Sequence, residues 1–232
     1  MQAQRFPKNY DGIIAAAPAI NWDSFLPTGV WGPVVMKEEK YYPPICEMQA
    51  IHRAAIEACD EIDGIKDGIL AAYGLCDFDA TTVVGQKFDC DGDTRKISKS
   101  AANIANRVWA GPHKNGKREW FGLSHEAPFA SRSGMGGLVA TTCDEKNKNC
   151  KPAPFVISAG WIRTFIAKDQ NYDIDALTEE EFFKVMHKSR QWYKSILGTD
   201  DPDLSEFKEA GGKMITWSAN PMAVLLNKTD MI

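Results

Sequence analysis

No apolar run in this 232-residue sequence is long enough to span a bilayer, which excludes a membrane-crossing helix. Basic charge is not in excess either: 27 Lys and Arg stand against 31 Asp and Glu, a net charge of −4, with no Lys/Arg cluster. Nucleic acid and anionic membrane surfaces are therefore poor partners. No two cysteines have CxxC spacing, which argues against a zinc ribbon or a redox dithiol. Internal repeats and low-complexity tracts are lacking. Histidine is scarce, with only His52, His113, His125 and His187 available as catalytic bases.

What is present is cysteine in an even number. Six cysteines point to a disulfide framework and an oxidising compartment. Cys143 and Cys150 bracket the polar turn Asp144–Asn149 and are expected to bridge it, and Cys59 and Cys76 to close a second loop. Cys46 and Cys90 are left to pair by elimination. Yet Met1 is followed by Gln2-Ala3-Gln4-Arg5-Phe6-Pro7, which has no apolar export segment. The simplest reconciliation is that Met1 is not the natural start.

The stretch Cys59-Asp60-Glu61-Ile62-Asp63-Gly64-Ile65-Lys66-Asp67-Gly68-Ile69 gathers four carboxylates, broken by two glycines. Calcium needs six to eight oxygens from carboxylates and backbone carbonyls, and glycines let a loop turn its carbonyls inward. The spacing is not that of an EF-hand. Two readings stand on the residues alone: a different kind of calcium loop, or an acidic surface turn capped by a disulfide. A second patch, Asp89-Cys90-Asp91-Gly92-Asp93, has Thr94 where an EF-hand needs glycine and Ser100 where it needs glutamate, so it reads as a solvated turn.

Along the chain, Ile13 to Ala17 reads as a short buried strand stopped by Pro18. Asn21 to Pro44 reads as irregular with short helical pieces. A helix is expected from Pro44 to about Ala58, facing inward through Ile45, Met48, Ile51 and Ala55. Another is expected from Ser98 to Trp109, on Ala101, Ile104, Ala105 and Val108. His113 to Pro154 lacks periodicity. A third helix is expected from Val156 to Ala167, with Ile157, Trp161 and Phe165 inward. Thr178 and Glu181 form a capping box for a fourth, ended by Gly198. Lys213 to Trp217 is the last strand. Two strands separated by a long, mostly helical insert suit an α/β enzyme with a lid.

These segments, taken in order, resemble the fungal tannase and feruloyl esterase family. The anchors are Met1–Pro7, Tyr10–Trp22, the Cys59-to-Cys76 loop, Trp109–Pro112, Trp120–Leu123, Thr199–Leu204 and Gly211–Trp217. The resemblance implies an α/β-hydrolase fragment in which two core strands carry a large helical lid. It divides the chain into a core segment (1–22), the lid (23–205), a core strand (206–217) and an unmatched tail (218–232). It implies a structural calcium ion held by the side chains of Asp60, Asp63 and Asp67 and the carbonyls of Ile65 and Ile69. It also implies secretion and small phenolic, feruloylated or galloylated esters as substrates.

Such enzymes use a Ser–His–Asp triad. By the family's pattern the serine, in a Cys-Ser-x-Gly-Gly elbow, falls roughly eight residues ahead of Met1. Met222 stands where the aspartate is expected, and the histidine has no counterpart. Ser124-His125 and Ser133-Gly134-Met135-Gly136-Gly137 are poor substitutes, because sequence adjacency does not aim a hydroxyl at an imidazole. Trp22, Trp31, Trp120, Phe121 and Trp161 read as core rather than ligand platform, and the Asn227-Lys228-Thr229 sequon lies in the unmatched tail. The expectation is an esterase fragment, clipped at both ends, with no triad and no useful turnover. The alternative is a non-catalytic, calcium-stabilised lid or binding module for aromatic ligands. A third possibility is a product that barely folds.

Overall fold

A computed structural model describes residues 1–130 and 137–217. Ser133 to Gly136, Met222 and the Asn227 sequon lie outside the described residues. The chain begins with a single turn, α1 (Gln2–Arg5), and strand β1 (Gly12–Ala16). Helices α2 (Trp22–Thr28), α3 (Trp31–Glu38) and α4 (Ile45–Cys59) follow. A hairpin of β2 (Lys87–Cys90) and β3 (Asp93–Lys96) leads to α5 (Lys99–Ala110). Two small hairpins come next, β4 (His113–Lys114) with β5 (Lys117–Arg118) and β6 (Thr141–Thr142) with β7 (Lys151–Pro152). The last elements are α6 (Val156–Trp161), α7 (Glu179–Leu197), α8 (Ser205–Glu209) and β8 (Lys213–Trp217).

Strands β1 and β8 pair in parallel, in register from Gly12 opposite Lys213 to Ala16 opposite Trp217. All other elements except α1 form the insert between them, as parallel strands require a crossover. The N-terminal turn meets the far end of that insert: the Gln4 amide donates to the Thr199 carbonyl at 2.9 Å, and Arg5 donates to the Ser195 carbonyl at 3.0 Å. Strand β1 is not the buried strand its sequence suggests. Ile14 is 73% exposed and Ile215 opposite it 63%, because the pair has no further neighbour among the described residues. The strand also stops one residue early, where Ala17 takes a left-handed conformation at φ 48°.

The core belongs to the insert. Helix α3 tolerates Pro33 because its first turn has no intrahelical partner for that N–H. Next to it, Gly32 packs directly on the chain: an added Cβ would sit 1.6 Å from the Leu138 carbonyl oxygen. The Trp31 ring stacks on Phe182 at 5.0 Å and Phe183 at 6.1 Å, joining α3 to α7. Helix α4 buries Met48, Ile51 and Ala55, and α5 buries Ala101, Ile104, Ala105 and Val108, the faces their spacing predicts. The Thr178 capping box closes as expected: Glu181 N–H donates to Thr178 Oγ1 and Thr178 N–H donates back to Glu181 Oε2. A buried relay ties α6 and α7 to α2, with Trp161 Nε1–H donating to Ser189 Oγ and Ser189 donating to the Asp23 carbonyl.

The third expected helix is where the pattern misleads. Its α-helical part ends at Trp161, and Ile162–Ala167 winds as a wider π-helix. The buried face runs through Ser158, Ala159, Trp161, Ile162 and Ile166 instead, leaving Ile157 and Phe165 exposed. The short helical pieces expected before Pro44 are α2 and α3, whereas the stretch from His113 to Pro154, which lacks periodicity, holds two short hairpins.

Candidate functional site

Helix α4 delivers the chain into the acidic loop. Its last residue, Cys59, is disulfide-bonded to Cys76, and the bridges Cys46–Cys90 and Cys143–Cys150 complete the set with no free cysteine. A 3-10 turn, Asp60–Asp63, follows, then Gly64 at φ 90° and Gly68 at φ 78°. Both glycines occupy the left-handed region that side-chain-bearing residues avoid. Each aspartate organises the loop backbone. Asp60, nearly buried, accepts from the Gly68 N–H at 2.8 Å and the Asp67 N–H at 3.3 Å. Asp63 accepts from the Ile65 and Ala71 N–H groups, both at 3.0 Å, and Asp67 from the Ile69 N–H at 3.0 Å. The one lysine in the loop, Lys66, pairs with Glu61 and not with these three.

The donor set therefore fits a hard cation in kind. Three carboxylates have no cationic partner among the described residues, and the Ile65 and Ile69 carbonyls accept no hydrogen bond from any described group. The side chains are not gathered, however: among the described residues no three His, Cys, Asp or Glu side chains stand as a metal would need them. The other acidic patch is the tip of the β2–β3 hairpin, turned by Asp91 and Gly92 at positive φ, in keeping with a solvated turn.

None of the histidines sits in a triad among the described residues. His52 Nε2 lies 2.9 Å from the Glu126 carbonyl, His113 Nδ1 2.9 Å from the Gly111 carbonyl, and His125 Nε2 3.3 Å from the Phe78 carbonyl. His187 is exposed. The His125 ring stacks on Trp109 at 4.4 Å, turned to the Phe78 carbonyl, while the neighbouring Ser124 hydroxyl is buried without a partner among the described residues. Burial holds the pKa of both His52 and His125 below the ordinary imidazole value, and pushes Glu126 up. Trp31 and Trp161 are buried, and Trp22 and Trp120 pack against the core, so the aromatics serve packing first.

A parallel strand pair bracketing a helical insert is one part of an α/β-hydrolase arrangement, and comparison with known proteins bears this out. The family model described as "Tannase and feruloyl esterase" matches residues 1–224. A "Probable feruloyl esterase" of Arthroderma benhamiae is 36% identical over 218 residues, covering 94% of this chain and 39% of the relative. A tannase of Aspergillus oryzae is 37% identical over 253 residues, covering 92% and 42%. The solved tannin acyl hydrolase of Aspergillus niger superposes with a TM-score of 0.83 at 29% identity, over 96% of this chain and 41% of that one. The chain belongs to the tannase and feruloyl esterase family. It spans about two fifths of the length of these relatives.

Proposed function

We propose that this chain supplies the lid and two core strands of a serine carboxylic ester hydrolase acting on phenolic-acid esters, feruloylated or galloylated. The family match over residues 1–224 carries this reading, and the parallel pairing of β1 with β8 across the insert supports it. In such an enzyme serine attacks the ester carbonyl, histidine carries its proton to the leaving alcohol, and aspartate orients the histidine. On this reading the described residues contribute none of these three groups, in keeping with histidine rings turned to backbone carbonyls at His52, His113 and His125. Three disulfides suit an oxidising setting outside the cytosol.

The 232 residues alone are expected to leave a phenolic methyl ester at its buffer rate of hydrolysis. Turnover well above buffer, abolished by heat, would overturn that. The esterase reading itself is tested on the polypeptide defined by sequencing the transcript through both ends of this frame. That polypeptide should cleave the same ester and be silenced by a serine-directed phosphonate; an inert product sinks the assignment.

The proposal includes a structural calcium ion in the Cys59–Cys76 loop, held by Asp60, Asp63 and Asp67 and the carbonyls of Ile65 and Ile69. The uncompensated carboxylates and the two free carbonyls support it. Each aspartate would hold the ion with the lone pairs that its backbone hydrogen bonds leave free. The ion would neutralise the loop and fix α4 to the segment beyond it. Calcium at a hundredfold over its Kd stabilises by about 2.7 kcal/mol. For a chain of this size that raises the Tm by roughly 5–10 °C. Magnesium, which dehydrates reluctantly, should do far less. Thermal unfolding with calcium, with magnesium and with chelator decides the matter, and a calcium response retained in Asp63→Asn with Asp67→Asn would exclude this loop.

A further inference from the structure

Exposed apolar side chains gather at two places in the insert, and the charges around them have opposite sign. The first is the acidic loop. Ile62, Ile65, Ile69 and Leu75 stand out of it, from 43% exposed at Ile62 to 71% at Leu75. The Cys59–Cys76 bridge and the cross-loop hydrogen bonds of Asp60 and Asp63 keep them on one compact unit. Among the described residues only Glu61 of the loop's carboxylates is paired with a lysine, so its surface is both aliphatic and negative.

The second lies where the π-helical turn Ile162–Ala167 packs on α7. Trp192 is 40% exposed there, with the Lys168 and Lys188 ammonium groups 5.5 and 5.7 Å from its ring centroid. Exposed Phe165 joins this surface through Tyr193, ring centroids 5.9 Å apart, and exposed Ile196 follows one turn along α7. Neither lysine has a carboxylate partner among the described residues. Asp169 beside them is turned to its own backbone, accepting from the Asn171 N–H at 2.9 Å. Single surface aliphatics need no explanation, whereas apolar clusters with a charged rim mark places of association. Both surfaces are open in one chain, so neither covers the other within it.

We propose that a second copy of this chain is the partner: the aliphatic, acidic loop of one copy docks on the Trp192 surface of the next, with Lys168 and Lys188 facing its carboxylates. Buried apolar area supplies the attraction, and opposite charge sets the orientation. Because the two surfaces differ, the contact is heterologous. A copy bound through its loop keeps its lysine surface free, and association extends beyond a dimer as concentration rises. The test is sedimentation velocity on the whole 232-residue chain, from low micromolar to near-millimolar concentration. Chelator is present throughout, so the loop keeps its full charge whether or not it holds calcium. The parent should sediment faster as its concentration rises. Raising the salt from about 0.15 M to 1 M, which shortens the screening length from ~8 to ~3 Å, should weaken that association about tenfold. One variant, Ile65→Ser with Ile69→Ser, removes the loop surface, and another, Lys168→Glu with Lys188→Glu, reverses the lysine surface. All four positions are exposed, and circular dichroism checks that both variants fold. Each variant alone should associate at least tenfold more weakly than the parent. Mixed, the two should form a 1:1 complex that grows no further, since each retains the surface the other has lost. A parent that stays monomeric leaves these surfaces to some other partner and overturns the proposal. Association that survives in both variants, or is unchanged by salt, does so too, and places the contact on the unpaired edges of β1 and β8. Two monomeric variants that do not combine on mixing also overturn it.

Discussion

Phe182→Ala should lower the thermal midpoint by roughly 6–20 °C, the equivalent of about 3–5 kcal/mol for a buried aromatic in a chain of this size. Phe182 is fully buried on α7, its ring 5.0 Å from Trp31 and 5.3 Å from Phe183. Truncation removes the transfer energy of the ring and leaves a cavity, and the cost depends on how far the walls can close. Here they are held apart. Helix α3 is braced from behind by the close approach of Gly32 to the Leu138 carbonyl, and α7 is fixed at its start by the Thr178 capping box. Ile196→Ala on the exposed side of the same helix is the control, expected within about half a kcal/mol of the parent. Melting curves showing equal losses for the two would mean that α7 is not anchored through this contact.

How much of this was legible beforehand follows from which signals are local. Helices α4, α5 and α7 could be read because an apolar stripe and a start signal lie within one continuous stretch: Pro44 ahead of α4, the Thr178 capping box of α7, and Ser98 of α5, whose hydroxyl accepts from the Ala101 N–H. The three disulfides could be read because Cys143 and Cys150 bracket a short polar turn, Cys59 and Cys76 bound the acidic loop, and the third pair was what remained. The face of α6 could not, since a π-helical turn at Ile162–Ala167 changes the angular step on which helical periodicity depends. Two hairpins do carry a local signal: Asp91-Gly92 and Asn115-Gly116 are the two-residue pairs that favour tight, left-handed turns, and all four residues have positive φ. The exposure of β1 is a matter of missing neighbours rather than of its own residues. In the acidic loop the ligand candidates were visible, but not their arrangement, because each aspartate first satisfies a nearby N–H. The contact of His52 with the Glu126 carbonyl was out of reach altogether, because the two meet across 74 positions of sequence.

Removing the disulfides one pair at a time, by paired Cys→Ala substitution, should rank the three bridges by the loop each closes. Cross-linking restricts the unfolded chain, and in the chain-entropy model the stabilisation grows with the logarithm of loop length. Cys46–Cys90 spans 44 positions, Cys59–Cys76 spans 17 and Cys143–Cys150 spans 7. The model gives about 4, 3 and 2 kcal/mol in that order, or a fall of roughly 8–16 °C for the first. Alanine is the right replacement because Cys59, Cys76 and Cys90 are buried, and a serine hydroxyl there would add the cost of an unpartnered polar group. Loss of Cys59–Cys76 should differ from the others in kind. That bridge packs with Leu70 in a small core of its own beneath the acidic loop, away from the main cluster. Without it the hydrogen bonds that Asp60 accepts from the Asp67 and Gly68 N–H groups, and Asp63 from the Ala71 N–H, are left to hold the loop closed on their own. The Cys59→Ala, Cys76→Ala chain should therefore lose the calcium-dependent rise in Tm as well as its own 3 kcal/mol, whereas Cys46→Ala, Cys90→Ala should keep the full calcium response from a lower baseline. Guanidinium unfolding of the three variants, each with calcium and with chelator, separates the two effects. An undiminished calcium response in the Cys59→Ala, Cys76→Ala chain would move the ion elsewhere, and a ranking that ignores loop length would show that the unfolded chain is not the state these bridges constrain.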